Sequence, residues 1–323
     1  MSLLFTDSFD GVLGSAKWDM LNGTIHTDYG RHGTKGLASP SSTGVFLRKV
    51  FNAATNRVVV GGWSYIADVA GVSDMYIFQL ESPGGSIQLR YRVGEPRFTI
   101  AGTGIASQAI GEIGSGQPLT WHFVELMWEP GVAAEVRVNG QQLWAGTPGG
   151  SGTPFRLQSS QGGIGVRPQQ RFDDIYLLDS SGSANNDFLG PIKIVSLKPD
   201  GAGNRTELTA TPAGNNWERV SDGSDATYVE GDSGDGDLYT FDDLSSSDDV
   251  LGVVQYWRAF DSEGGGITGR AISRVGGTEY DGDAKIMPGS VATHVQPWDV
   301  SPDTGQPWTP AEVNGAEFGV EFA

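Results

Sequence analysis

The stretch from 120 to 146 constrains the fold most, because it joins short apolar runs through two turn signals. It reads TWHFVELMWEPGVAAEVRVNGQQLWAG. Alternate side chains of a strand point to opposite faces, and both faces of WHFVELMW are mostly apolar, which predicts a strand inside a sandwich. Pro130-Gly131 ends this run, and Asn139-Gly140 supplies the positive φ angles of a tight hairpin. The stretch therefore predicts a meander of three antiparallel strands.

The rest of the first half repeats this pattern of short strands separated by turns. The chain contains 48 Gly and 16 Pro in 323 residues with no repeating period, which favours many short strands over long helices. The further candidate strands of this half are 57–66, 74–82, 86–93, 96–102, 154–160 and 172–179. Regular short strands punctuated by Gly and Pro predict a β-sandwich over residues 1–180.

The second half starts after a polar segment, SSGSANNDFLGP, whose composition predicts a linker at 181–191. Strands are predicted again at 192–199 and 215–222, and the nearly all-apolar run 250–260 predicts a buried central strand. Near the end, Thr309, Pro310 and Glu312 form the capping pattern of a short helix, and a final strand follows it. We therefore expect an all-β chain whose second domain, 192–323, is β-sandwich-like with one short helix.

Charge and composition exclude several classes of function. The net charge is −18, and it is uneven, because residues 1–186 carry 15 acidic and 13 basic residues whereas 187–323 carry 24 and 8. An acidic surface repels DNA, so we expect no nucleic-acid partner. No apolar run approaches the ~20 residues of a membrane helix, so no membrane insertion is expected. The absence of cysteine excludes thiolate chemistry. The start, MSLLFTDSFDG, lacks the basic n-region of a cleaved secretory signal.

Two sets of motifs resemble known families. Roughly residues 3–180 resemble the concanavalin A-like, laminin-G-like jelly roll. The resemblance lies in four motifs that occur in this order: SFDG, WHFVEL, VRVNG and FDDIYLLD. Most of the chain resembles tailed-bacteriophage virion proteins that join a lectin-like sandwich to a small β-domain. This second resemblance lies in the segments FDDIYLLDSSGSANNDFLGPIKIVSLKPDG, ATYVEG, DLYTFDDL and WTPAEVNGAEFGVEF.

The second resemblance implies a structural subunit of a tail fibre, spike, baseplate or capsid decoration. It implies other virion proteins as partners, assembly in the bacterial host cytoplasm and location in the virion. Such appendages are commonly trimeric, so a homo-oligomer, with a trimer favoured, is expected. A host surface glycan is the expected ligand of the sandwich. The alternative is a free or surface-attached carbohydrate-binding protein.

The sequence offers no catalytic constellation. Glycosidases use two carboxyl groups within ~5 to 9.5 Å, but Glu125 and Glu129 lie about 13 Å apart along one strand face. Asp173 and Asp174 are adjacent, so on a regular strand they point to opposite faces. The chain is therefore expected not to be an enzyme, and a glycoside hydrolase is the less favoured alternative.

Five residues are the candidate binding groups. Trp18 and Trp144 lie near turns or strand ends, where an indole ring can stack on a sugar. Asp232, Asp235 and Asp237 lie in DSGDGD, where oxygen ligands on a turn suit calcium. Their spacing is not that of an EF-hand, and a solvated acidic loop is the alternative reading.

Overall fold

The computed structural model describes residues 2–40, 44–66, 75–92, 97–111, 119–161 and 170–323. The chain divides into two compact units, which we describe separately. The N-terminal unit comprises Ser2–Asp10 and Gly14–Ile194, and the C-terminal unit comprises Gly11–Leu13 and Val195–Ala323. Among these described residues, no helix has both the length and the apolar character needed to span a bilayer.

The N-terminal unit consists of two antiparallel sheets. Its strands are β1 Leu3–Asp7, β2 Met20–Leu21, β3 Thr24–His26, β4 Gly36–Ala38, β5 Gly44–Val50, β6 Val58–Ile66, β7 Met75–Ser82, β8 Gly85–Arg92, β9 Arg97–Gly102, β10 Ile105–Ile110, β11 Thr120–Glu129, β12 Ala133–Val138, β13 Gln141–Gly146, β14 Arg156–Gln161 and β15 Arg171–Asp179. The first sheet has the order β13-β12-β11-β6-β15-β4-β3, with β1 paired to β15. The second sheet has the order β10-β9-β8-β7-β14-β5-β2. The predicted all-β sandwich is confirmed.

The meander predicted from residues 120–146 is present as β11, β12 and β13. Val124 lies opposite Val138 in the first hairpin, and Val136 lies opposite Trp144 in the second. Asn139 has a φ of 50° and Gly140 a φ of 80°, as the tight turn between β12 and β13 requires. The turn residues therefore set the register of this edge of the sheet.

The core lies between the two sheets. Its largest fully buried side chains are mostly aromatic: Trp128, Tyr91, Phe5, Phe9, Phe46, Phe78, Phe98 and Phe172. Phe46 and Phe78, from the second sheet, each pack with their ring centroid 5.9 Å from that of Phe172 on the first. Burying each such side chain contributes about 1.5–3 kcal/mol. These rings hold the two sheets together.

The central strands β11 and β15 of the first sheet are buried on both of their faces. The 187–194 segment lies on its outer face, where the N–H of Gly190 donates to Glu125 Oε1 at 2.9 Å. The indole N–H of Trp63 donates to the carbonyl of Ile192 at 3.0 Å, and the guanidinium of Arg137 lies 3.9 Å from the ring centroid of Phe188. Residues expected to form a linker are therefore attached to the sandwich. The strand predicted at 192–199 is mostly absent, and β16 begins only at Pro199.

The C-terminal unit is built around an antiparallel sheet with the order β16-β19-β25-β21-β22 and β23 on β21. Two further strand pairs are β17-β18 and β20-β24. The elements are β16 Pro199–Thr206, β17 Thr209–Thr211, α1 Asn216–Ser221, β18 Tyr228–Glu230, β19 Gly236–Phe241, β20 Val253–Ala259, β21 Thr268–Val275, β22 Thr278–Asp281, β23 Lys285–Ile286, β24 Ala292–Trp298, α2 Pro310–Gly315 and β25 Glu317–Phe322.

Two predictions for this unit are wrong. The apolar run 250–260 is not a buried central strand, because its β20 pairs only with β24 and most of its side chains are half-buried. Its Trp257 packs into the core of the unit, which accounts for the apolar character of one face. The strand predicted at 215–222 is the helix α1. The capped helix at 310 is present, with both hydrogen bonds of a capping box between Thr309 and Glu312.

Candidate functional site

The open face of the N-terminal unit is the outer face of its second sheet. In β8, buried and half-buried residues alternate, because one face packs on the core and the other faces outward. Eight outward residues from β5, β7, β8 and β14 form one continuous surface, which we call the polar platform. Its members are Arg48, Tyr76, Gln79, Glu81, Gln88, Arg90, Arg156 and Gln158.

Strand register places the platform side chains in a row. Arg48 lies opposite Gln158, Gln158 lies opposite Gln79, and Gln79 lies opposite Gln88. Neighbouring strands are about 4.8 Å apart, so the row extends over about 15 Å. Polar side chains at this spacing reach their neighbours across the strands.

A chain of hydrogen bonds connects the platform and ends at Glu81. The guanidinium of Arg90 donates to Gln88 Oε1 at 2.9 Å, and Gln88 Nε2 donates to Gln79 Oε1 at 3.1 Å. Gln79 Nε2 donates in turn to Glu81 Oε1 at 2.6 Å. Such a chain fixes each planar group in one orientation, because every member is held by a neighbour.

Two further residues approach Glu81 from β14. Gln158 Nε2 donates to Glu81 Oε1, and Arg156 Nη1 lies 3.3 Å from Glu81 Oε2. On the other side of the network, the guanidinium of Arg90 lies 4.5 Å from the ring centroid of Tyr76. The platform therefore presents amides, guanidinium groups and one carboxylate on a rigid sheet.

Two polar groups of the platform have no hydrogen-bond partner among the described residues. The side-chain carbonyl Oε1 of Gln158, a residue only 8% exposed, accepts no hydrogen bond within the described part of the chain. The buried Nε of the neighbouring Arg48 likewise donates none there. Buried polar atoms are normally hydrogen-bonded, so an unpartnered acceptor and an unpartnered donor on two paired residues single out this part of the platform as the candidate binding place.

The two predicted tryptophan ligands are not part of the platform. Trp18 is 7% exposed, its indole N–H donates to Asp7 Oδ2 at 2.6 Å, and its ring packs on Phe5 and Phe9. Its ring and its donor are thus used within the fold. Trp144 is half-buried on β13, in the first sheet. Sugar binding by either residue stays a prediction.

The three predicted calcium ligands have different surroundings. Asp237 is fully buried, and its Oδ1 accepts the backbone N–H groups of Glu207 and Leu208 at 2.7 and 2.9 Å. Its Oδ2 accepts from Asn216 and Tyr239. Asp235 instead accepts the backbone N–H of Asp232 on the exposed loop. Within the described residues, no group of three or more His, Asp or Glu is arranged to hold a metal ion.

The adjacency of Asp173 and Asp174 predicted that they point to opposite faces of a regular strand. The strand is not regular at this point. The register of β15 shifts between Asp173 and Tyr176, and Asp174 has a φ of 49°. Asp173 Oδ2 accepts the N–H of Arg31 at 2.7 Å, and Asp174 Oδ1 accepts the N–H of Ile194 at 2.8 Å. The two carboxyl groups therefore hold two other segments against the first sheet.

Burial changes the protonation of this pair. Loss of hydration, followed by the charge of Asp174, raises the pKa of Asp173 to about 7. Burial likewise raises the pKa of Asp174 to about 6. The two side chains are 1% and 2% exposed, so a substrate has little access to them. Their shifted pKa values follow from a structural role, which perturbs pKa values as catalysis does.

The carboxylate of Glu125 is also part of the structure. It is fully buried, and its Oε1 accepts both the hydroxyl of Tyr176 and the N–H of Gly190. Glu129, the other member of the sequence pair, lies at the end of β11. Because Glu125 is covered by the 187–194 segment, the two residues do not line a common open site.

Sequence reasoning missed the polar platform because it looked for aromatic rings near turns. A signal was present in the alternation of β8, where Gln88, Arg90 and Arg92 occupy every second position. A second signal was the same alternation in β7, at Gln79 and Glu81. Which strands are neighbours decides whether these residues meet, and a single sequence does not give that order.

Comparisons with known proteins find only distant likeness. No known protein family and no curated protein matches the sequence. Among solved structures, the cellulose-induced protein Cip1 is 15% identical, with a TM-score of 0.38, over 54% of this chain and 96% of that one. The Caenorhabditis elegans galectin LEC-6 is 11% identical, with a TM-score of 0.33, over 44% and 94%.

A third similar structure is the binding domain of botulinum neurotoxin serotype D. It is 15% identical, with a TM-score of 0.38, and the match covers 49% of this chain and only 41% of that one. Likeness at this level carries no argument about a ligand or an activity. The fold assignment rests instead on the sheet order and the burial of the chain itself.

Proposed function

We propose that this chain is a non-enzymatic glycan-binding protein and that the polar platform is its binding surface. The observation that carries the proposal is the hydrogen-bonded chain from Arg90 to Glu81, which lies beside the unpartnered groups of Arg48 and Gln158. Each sugar hydroxyl is both a donor and an acceptor, so it is matched by amides, carboxylates and guanidinium groups in fixed positions.

The rigidity of the platform supports this function. Binding costs about 0.5–1.5 kcal/mol for each long side chain that becomes immobilised. Gln79, Gln88 and Arg90 are already held by one another, so that cost is largely met before a ligand arrives. A row of this kind, about 15 Å long, suits an extended saccharide lying across the strands.

The proposed setting is the virion of a tailed bacteriophage, and it rests on the sequence resemblance alone. In that setting the chain is a subunit of a fibre, spike, baseplate or capsid decoration, and the platform contacts a host surface glycan. Its partners are other virion proteins and further copies of the same chain. A free carbohydrate-binding protein uses the same platform, so the binding experiment applies to both.

A glycan array probed with the full chain tests the proposal. We expect a restricted set of glycans to bind and Gln88→Ala to weaken binding by roughly fivefold or more, since one hydrogen-bonded side chain contributes about 1 kcal/mol. Gln142→Ala is the matched control, because Gln142 is exposed on β13 of the first sheet. Equal loss in both variants, or no glycan bound by the wild type, would refute the proposal.

A further inference from the structure

We infer that the polar platform selects glycans that carry carboxylate groups and that Arg48 receives the carboxylate. This inference rests on the proposed glycan-binding function and names the ligand class of the same site. It follows from how the three arginines of the platform are engaged within the protein.

Arg90 and Arg156 are already committed to protein partners. Arg90 donates to Gln88 and stacks on Tyr76, and Arg156 forms an ion pair with Glu81 at 3.3 Å. Both groups therefore fix the platform and have less capacity for a ligand.

Arg48 differs from them. It is half-buried on β5, opposite Gln158 on one side and Met20 on the other. Among the described residues no carboxylate forms an ion pair with it, and its buried Nε has no acceptor. A guanidinium group carries five N–H donors in a planar fork that fits a carboxylate with two parallel hydrogen bonds. Arg48 is thus a platform cation for which the described residues supply neither a counter-ion nor a stacking ring, whereas Arg90 is held by Gln88 and Tyr76.

Gln158 indicates that the carboxylate belongs to a sugar. Its Oε1 is an acceptor without a partner among the described residues, on the residue that pairs with Arg48 across β14 and β5, and a ligand hydroxyl would supply the missing donor. A carboxylate has no donor, whereas an acidic sugar bears hydroxyl groups next to its carboxylate. Uronic and sialic acids therefore supply both an acceptor for Arg48 and a donor for Gln158.

A nucleic acid is the less suitable anionic ligand. The net charge of −18 opposes the approach of a long polyphosphate. A saccharide of a few residues with one or two carboxylates experiences much less of this repulsion. The three glutamine amides of the row also match hydroxyl groups better than phosphate oxygens, which are acceptors only.

The experiment uses an array on which each uronic- or sialic-acid glycan is paired with its carboxyl methyl ester. The full chain, Arg48→Gln and Arg57→Gln are compared, and a DNA oligonucleotide is included. Arg57 is the control because it pairs with Asp187 at 2.7 Å away from the platform, and its loss removes the same charge. Thermal melting of each variant confirms that it is folded.

The expected result is at least about tenfold stronger binding of one acidic set than of its esters, a preference that Arg48→Gln abolishes and Arg57→Gln keeps. Equal binding of acids and esters would overturn the inference while leaving the glycan-binding function intact. Binding of no glycan at all would overturn both. Equal binding of DNA and acidic glycans, or an unchanged preference in Arg48→Gln, would also overturn the assignment of Arg48.

Discussion

The hydroxyl of Tyr176 donates a 2.6 Å hydrogen bond to Glu125 Oε1 on the outer face of the first sheet. The same hydroxyl accepts the N–H of Leu189 at 3.2 Å, and the same carboxylate oxygen accepts the N–H of Gly190 at 2.9 Å. Two side chains from neighbouring parts of the sheet thus bind two successive backbone groups of the 187–194 segment. This arrangement covers central strands of the first sheet on their outer face, whereas the polar platform lies on the outer face of the second sheet.

Tyr176→Phe tests that arrangement. The variant leaves Leu189 without its acceptor and removes one of the two donors to Glu125 Oε1, so we expect a loss of about 1–3 kcal/mol in the free energy of unfolding. Urea denaturation measures the loss, and hydrogen exchange of the Leu189 and Gly190 amides should become faster. Tyr228→Phe, at an exposed tyrosine of the C-terminal unit, is the control. Unchanged exchange at both amides in Tyr176→Phe would contradict this role.

Asp174→Asn tests the pH dependence of stability. In the unfolded chain Asp174 loses its proton near its ordinary pKa of 3.8, whereas in the folded chain burial raises that pKa to about 6. Folding therefore takes up a proton between these values, and the stability of the wild type falls as pH rises through this window. Asn keeps an acceptor for Ile194 and does not titrate.

The variant should therefore gain stability relative to the wild type between pH 4 and pH 7. The gain is bounded by about 3 kcal/mol, because one pKa unit corresponds to about 1.4 kcal/mol. Differential scanning calorimetry of both proteins from pH 4 to pH 8 measures it. A difference between the two melting temperatures that is the same at every pH would contradict the raised pKa.

The acidic loop of the C-terminal unit gives a prediction that separates structure from calcium binding. Asp237→Ala removes the acceptor of two backbone N–H groups, those of Glu207 and the buried Leu208, and should cost at least about 2 kcal/mol. Asp235→Ala, on the exposed loop, should change stability by about 0.5 kcal/mol or less.

The melting temperature of the wild type should be the same in chelator and in millimolar calcium. A calcium-dependent rise in melting temperature that Asp235→Ala abolishes would instead support the calcium site predicted from the sequence.

Helix α2 gives a prediction that needs no ligand. Thr309→Ala removes the side chain that accepts the N–H of Glu312 at 3.2 Å and should cost about 1 kcal/mol. Thr309→Ser keeps the hydroxyl and should stay within a few tenths of a kcal/mol of the wild type. Urea denaturation compares the three proteins, and equal losses for Ala and Ser would mean that the cap contributes nothing.

Local signals determined how much of the fold was predictable. The hairpin at Asn139-Gly140 and the capping box at Thr309 depend on residues close in sequence, and both were predicted. Helix α1 was missed, although Trp217 and Val220 are three apart, as on one face of a helix. The run 250–260 was misplaced because a half-buried strand that packs one apolar face on the core has nearly the same composition as a central strand.

The candidate site depended on long-range pairing. Gln158 meets Gln79 only because β14, which lies far from β7 in sequence, pairs with it. The attachment of the 187–194 segment likewise depends on the buried acceptors Glu125 and Asp174, which its linker-like composition does not reveal. The polar platform could be predicted strand by strand as alternation, but not as one surface.

The most direct test of the account is a crystal structure of the full chain with the glycan that it binds best on the array. We predict a saccharide lying across β14, β7 and β8, with sugar oxygens within 3.2 Å of the side-chain amides of Gln88 and Gln158. A saccharide bound on the first sheet or on the C-terminal unit, with the polar platform empty, would contradict it.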